Sequence, residues 1–125
     1  MIHAINPKNV EEWAIEKHQG VFNRMLVEGQ NMTVMWSRWE PGASAPEHVH
    51  PHEQVAVCLE GEFIFTLNGE ECVLGTGEFI HIPSNVPHAE RNEGQVPAVL
   101  TDFFSPVRSD LHERRFKAQI LKESS

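Results

Sequence analysis

The sequence predicts an all-β fold, a small and mostly antiparallel β-barrel with a short helix at each end. Three observations carry this reading. Short runs rich in branched and aromatic residues follow one another from Val21 to Phe104. Gly, Pro and Asn break them at regular intervals, and none of the breaks leaves room for the crossover helix that a parallel sheet requires.

At the N-terminal end, Asn9 followed three residues later by Glu12 forms a capping-box pattern, with Trp13 and Ile15 beyond it, and predicts a helix over residues 9–18. The predicted strands are Val21 to Val27, Met32 to Trp39, Gln54 to Leu59, Glu62 to Leu67, Glu71 to Leu74, Glu78 to Ile82, Ala89 to Arg91 and Val96 to Phe104. Glu28, Gly29 and Gln30 join the first pair, and Asn68-Gly69 is the strongest hairpin signal in the chain, so sequential strands are expected to pair antiparallel. After Ser105 and Pro106 the pattern turns helical, with Leu111, Arg115, Ala118 and Leu121 spaced for one face.

With 125 residues, 40% hydrophobic and 22% charged, the chain is sized and composed as one ordered domain over residues 1–125. A formal net charge of −8 argues against nucleic acid or an anionic membrane as partner. The dense basic stretch Arg114, Arg115 and Lys117 reads as the solvated face of the terminal helix. There is neither a basic-then-apolar N-terminal segment nor an apolar run near the roughly 20 residues that span a bilayer, so a cytoplasmic location is expected. Cys58 and Cys72 are expected to be buried, reduced thiols.

His48 and His50 lie two apart, which on an extended strand sends both side chains to one face and lets them share an ion. Gly42 stands five intervening residues before His48, Gln54 three after His50, and Gly61 six after Gln54. A second block runs Gly77, five residues, Pro83, then Asn85, Val86, Pro87, His88 and, three residues on, Asn92. Fifteen residues separate Gly61 from Gly77. These two blocks resemble both halves of the cupin signature. The resemblance implies a double-stranded β-helix (jelly-roll) barrel whose metal-binding core covers about residues 42–110, with His48, His50, Gln54 and His88 as ligands to one divalent metal ion.

Two positions depart from that signature. Asn85 stands where the family usually has Gly, and Asn tolerates the left-handed turn conformation. Gln54 stands where it usually has Glu; an amide oxygen ligates without charge, so three neutral imidazoles and an amide leave the ion its full +2. Such a site suits a Lewis acid gripping an anionic oxygen better than it suits oxygen activation. Strand parity sets Glu53 on the face opposite Gln54, while His52 shares the ligand face and is expected behind the ligands or at the mouth. His81 is a candidate to touch substrate from its strand or, equally, a half-buried structural histidine, and His3, His18 and His112 are expected to face solvent.

Asp102 sits within an apolar strand, where a carboxylate is either aimed at a function or paired with a buried donor. Arg108, just past that strand, can reach the mouth and bind a carboxylate bidentately, or can pair with Asp110. The runs HVHPHEQVAVCLEGEFIFTLNGE, IPSNVPH and DFFSPVRSD resemble a narrower group, the small bacterial KdgF cupins that act on 4,5-unsaturated uronates from pectin and alginate. That resemblance implies conversion of the cyclic unsaturated sugar acid to its linear keto form, 4-deoxy-L-threo-5-hexosulose uronate. It also implies catalytic roles for Asp102 and Arg108 on a small anionic sugar substrate, which Arg108 and, from its strand, His81 are expected to bind. Imidazole and amide ligands accept Zn, Ni, Fe, Co or Mn, and the cupin resemblance implies a homodimer to which Trp36 and Trp39 contribute an interface or the core. The competing readings are an Fe(II) dioxygenase on a small acidic substrate and a noncatalytic sugar-acid binding module.

Overall fold

In a computed structural model, which describes residues 4–111, ten strands form two facing antiparallel sheets. They are β1 (Trp13–Ala14), β2 (Val21–Glu28), β3 (Thr33–Trp39), β4 (Ser44–His48), β5 (Glu53–Glu60), β6 (Glu62–Leu67), β7 (Glu70–Gly75), β8 (Phe79–Ile82), β9 (His88–Arg91) and β10 (Ala98–Ser105). The order is β1-β2-β3-β10-β5-β8 in one sheet and β4-β9-β6-β7 in the other, which is the jelly roll expected from the sequence.

The predicted hairpins form where the turn chemistry is strongest. Asn68 and Gly69 both take positive φ, 49° and 86°, and join β6 to β7 in register. Elsewhere the expectation of sequential pairing is corrected, because β5 and β6 belong to different sheets. Gly61, between them, has φ 71°, and a Cβ there would lie 3.0 Å from Ala98, so the chain crosses tightly over β10 only with glycine at this position.

The N-terminal helix is also corrected. Pro7–Asn9 forms one turn of 3-10 helix capped by the Asn6 side chain, after which Val10 is extended. Glu12 is drawn to Arg24 and Arg38 at 3.3 and 3.1 Å instead of closing a cap, and Trp13–Ala14 pairs with Phe22 and Asn23 on β2. The predicted C-terminal helix beyond Leu111, its basic residues, and His3 and His112 lie outside the described residues.

The core lies between the sheets. Phe63 and Phe65 from one side meet Trp39, Ile82 and Leu100 from the other, and Trp39 stands edge-on to Phe63 at 5.6 Å. Trp39 is therefore core, whereas Trp36 lies half-buried under the Arg24 guanidinium. Cys58 is buried as expected. Cys72 is exposed, contrary to expectation, since β7 is an edge strand on which only Leu74 is fully buried; both thiols are free. Phe63 has no exposed surface, so Phe63→Ala should cost about 3–5 kcal/mol of stability in urea unfolding, and a loss below about 1 kcal/mol would contradict this packing.

Candidate metal centre

The site occupies one end of the barrel, where the two sheets bring different kinds of ligand. β4 and β9 pair His48 directly with His88, which sends both rings to the same side. His50 is not on a strand: it follows β4 in a bend held by the Asn85 N–H, which donates to the His50 carbonyl at 3.0 Å. Asn85 makes that contact from a left-handed conformation, φ 63°, so the residue that replaces Gly in the signature keeps its backbone shape. The His48, His50 and His88 ligand nitrogens fall within 4.8 Å of one another.

Their tautomers follow from the backbone. Nδ1 of His48, His50 and His88 contacts the carbonyls of Pro46, His52 and Val86 at 2.9, 2.9 and 2.8 Å. A carbonyl only accepts, so each Nδ1 carries the proton and each neutral ring presents an Nε2 lone pair. Burial pushes His88 down to about 4 and also lowers His50, which keeps both rings neutral at ordinary pH. Nε2 of His88 is buried with no partner among the described residues.

Gln54, buried on β5, completes the set from the facing sheet. Its amide nitrogen donates to Asp102 Oδ1 at 2.8 Å, which turns Oε1 toward His50 Nε2 at 3.0 Å. Two lone-pair atoms thus face each other, and an orphaned Nε2 stands beside them. A cation satisfies all three at once, so the donor set fits a divalent ion of the borderline class that accepts imidazole and amide oxygen.

Asp102 lies on β10 opposite Ala56 and Met35, both buried, and so faces the interior. Burial raises its carboxyl to about 7, against the opposing pull of the Gln54 hydrogen bond and Arg108. Arg108 rests 4.7 Å over the Phe104 ring, whose edge-on contact with His50 is 5.6 Å, and this carries the guanidinium to the rim. There it forms the alternative pairing read from the sequence, a bidentate contact with Asp110 at 3.0 and 2.8 Å that holds the Asp110 carboxyl low. The Arg108 N–H donates to Thr33 Oγ1 at 2.8 Å, tying the loop to β3.

His81 is corrected. It pairs with Val55 on the outer face and contacts Glu53 at 2.7 Å, exposed, since strand alternation turns it away from Gln54 and Ile82. The same alternation keeps Glu53 off the ligand face, as expected. His52 serves the site through its carbonyl, which receives His50 Nδ1. Sequence reasoning passed over Glu90, an interior acid two residues beyond His88 that burial, then the Asp102 charge, raises to about 8. The signal was available in the parity of His88 and Glu90.

The cupin domain family matches residues 35–104. Among characterised proteins, the HTH-type transcriptional regulator PuuR of Escherichia coli is 28% identical over 59% of this chain and 42% of its own length. Quercetin 2,3-dioxygenase of Bacillus subtilis is 29% identical over 70% of this chain and 28% of its own. The chain thus spans less than half the length of these relatives. The pectin degradation protein KdgF of Dickeya dadantii is 29% identical over 76% of this chain and 86% of its own length. Among solved structures, an RmlC-like cupin from Shewanella frigidimarina superposes with a TM-score of 0.79 at 28% identity, covering 89% of this chain and 96% of that one. KdgF from Halomonas sp. superposes at 0.80 with 20% identity, covering 89% and 99%, which speaks to the fold. The relatives include enzymes, and among the described residues no helix is long and apolar enough to cross a membrane.

Proposed function

The chain belongs to the cupin domain family, and on that premise we propose that it is a metal-dependent enzyme converting 4,5-unsaturated monouronates to the linear keto form. One observation carries the reading: Gln54 spans the site, its oxygen toward the His50 lone pair and its nitrogen on Asp102. A carboxylate at 54 would set two anions against each other there; the amide joins a metal ligand to an acid without that repulsion. The likeness to KdgF of Dickeya dadantii, which extends over most of both chains, supports the same reading.

His48, His50, Gln54 and His88 would hold the ion, which supplies Lewis acidity toward an oxygen of the substrate. Arg108, at the rim, binds the sugar carboxylate through Nη1 and the second Nη2 hydrogen, while Asp110 keeps Nε and the first Nη2 hydrogen. Asp102 takes the proton of the C1 hydroxyl as the bond from C1 to the ring oxygen breaks, leaving an aldehyde at C1. The electron pair of that bond stays on the ring oxygen, now the enolic oxygen at C5, and a proton delivered to C4 converts it to a ketone. One proton leaves the C1 hydroxyl and one reaches C4, so no oxidant is consumed. Oxygen uptake with an acidic substrate would instead support the oxygenase reading.

The test is product identity. Incubation with an unsaturated monouronate should give an NMR spectrum with a new C4 methylene and no oxygen consumption; a product carrying added oxygen would refute the proposal. Arg108→Ala should raise KM by about tenfold or more with a smaller change in kcat, since a charge-assisted bidentate contact is removed, and an unchanged KM would refute the carboxylate contact.

A further inference from the structure

The barrel holds a second interior acid that the reaction above does not use. Glu90 pairs with Ala45 on β4 and with Phe65 on β6, both buried, so it points to the same interior side as His88. Asp102 has the matching place on the facing sheet, two residues before Phe104. Each acid therefore lies one pleat deeper than the ligand layer, and the Asp102 charge acts on Glu90 across the interior. Both acids are half-buried, and the residues paired beside them are buried. Oε2 of Glu90 has no hydrogen-bond partner among the described residues.

An unpartnered buried acceptor costs stability, and an apolar side chain between Ala45 and Phe65 would avoid that cost. A polar atom kept under these conditions, on the interior face one pleat beneath His88, calls for a ligand that satisfies it. Arg108 at the rim and Glu90 at the floor also fix an orientation. With the sugar carboxylate outward, the C2 and C3 hydroxyls on the far side of the ring point inward. Building on the uronate reading, we infer that Glu90 is a substrate-binding residue that hydrogen-bonds a C2 or C3 hydroxyl and so selects hydroxylated over deoxygenated sugar acids.

The experiment is calorimetric titration of the metal-loaded full chain with galacturonate, which lacks the C4=C5 bond and does not react, and with its 2-deoxy and 3-deoxy analogues. Glu90→Leu should keep its metal and melt at a higher temperature, yet bind galacturonate about tenfold or more weakly, and for one deoxy analogue the difference from wild type should vanish. Glu90→Gln should lie between them, and it decides the matter if the leucine variant does not fold. A folded, metal-replete variant that binds galacturonate as tightly as wild type overturns the inference, as does a wild type that binds none of the three acids. A wild type that leaves unsaturated uronates unconverted but binds galacturonate through Glu90 overturns the reaction and sustains the inference.

Discussion

Replacing Asp102 by Asn is expected to leave metal content unchanged and to lower turnover of an unsaturated uronate by about 100-fold or more. Asparagine has the shape of aspartate and keeps an oxygen to receive the Gln54 amide hydrogen, which approaches Oδ1 at 2.8 Å, so Gln54 stays turned toward His50. What disappears is the capacity to take and return a proton. Structural loss and chemical loss are therefore separable: metal analysis reads the first and kcat the second. Full metal occupancy with retained turnover would remove Asp102 from its assigned role.

The second large effect is on the metal itself. On the proposed ligand set, His88→Ala is expected to weaken divalent metal binding by well over about 100-fold, because loss even of a group that only orients a ligand costs about 10–100-fold and His88 would itself be a ligand. It is 1% exposed, its Nδ1 is fixed on the Val86 carbonyl, and the Nε2 so presented has no partner among the described residues. Metal content after dialysis should fall to near zero and turnover to the spontaneous rate. Near-stoichiometric metal after dialysis would mean that the three histidines are not one centre.

Much of this site is written in local pattern. The spacing of His48, His50, Gln54 and His88 leads to residues that two sheets bring within ligand distance, and Asp102 stands out as an acid in an apolar strand. The reasons differ from the simplest ones, however. Two-residue parity suggests that His48 and His50 share a strand, yet β4 ends at His48, and His50 is set by hydrogen bonds to Asn85 and His52. β4 itself escapes a pattern search because Pro41, Gly42 and Pro46 read as loop; its pairing with β9 comes from the far side of the chain.

Where the sequence misleads, a tertiary partner outweighs the local signal. Asn9 and Glu12 have capping-box spacing, but the pull of Arg24 and Arg38 on Glu12 holds the segment extended along β2. His81 lies on a strand beside the site, but only the register of β8 against β5 tells which face it takes. Glu90, between Ala89 and Arg91, resembles a solvated strand acid; its interior position follows once β9 is seen to lie between β4 and β6.

The central claim is that a charge-neutral ligand set and an adjoining acid serve an acidic, unsaturated sugar. It is tested most directly by adding the metal-loaded protein to 4,5-unsaturated galacturonate and following the ultraviolet absorbance of the C4=C5 bond. The absorbance should fall many times faster than in buffer, return to the spontaneous rate when the metal is removed by chelation, and recover when it is restored. Decay at the spontaneous rate with metal bound would contradict the account.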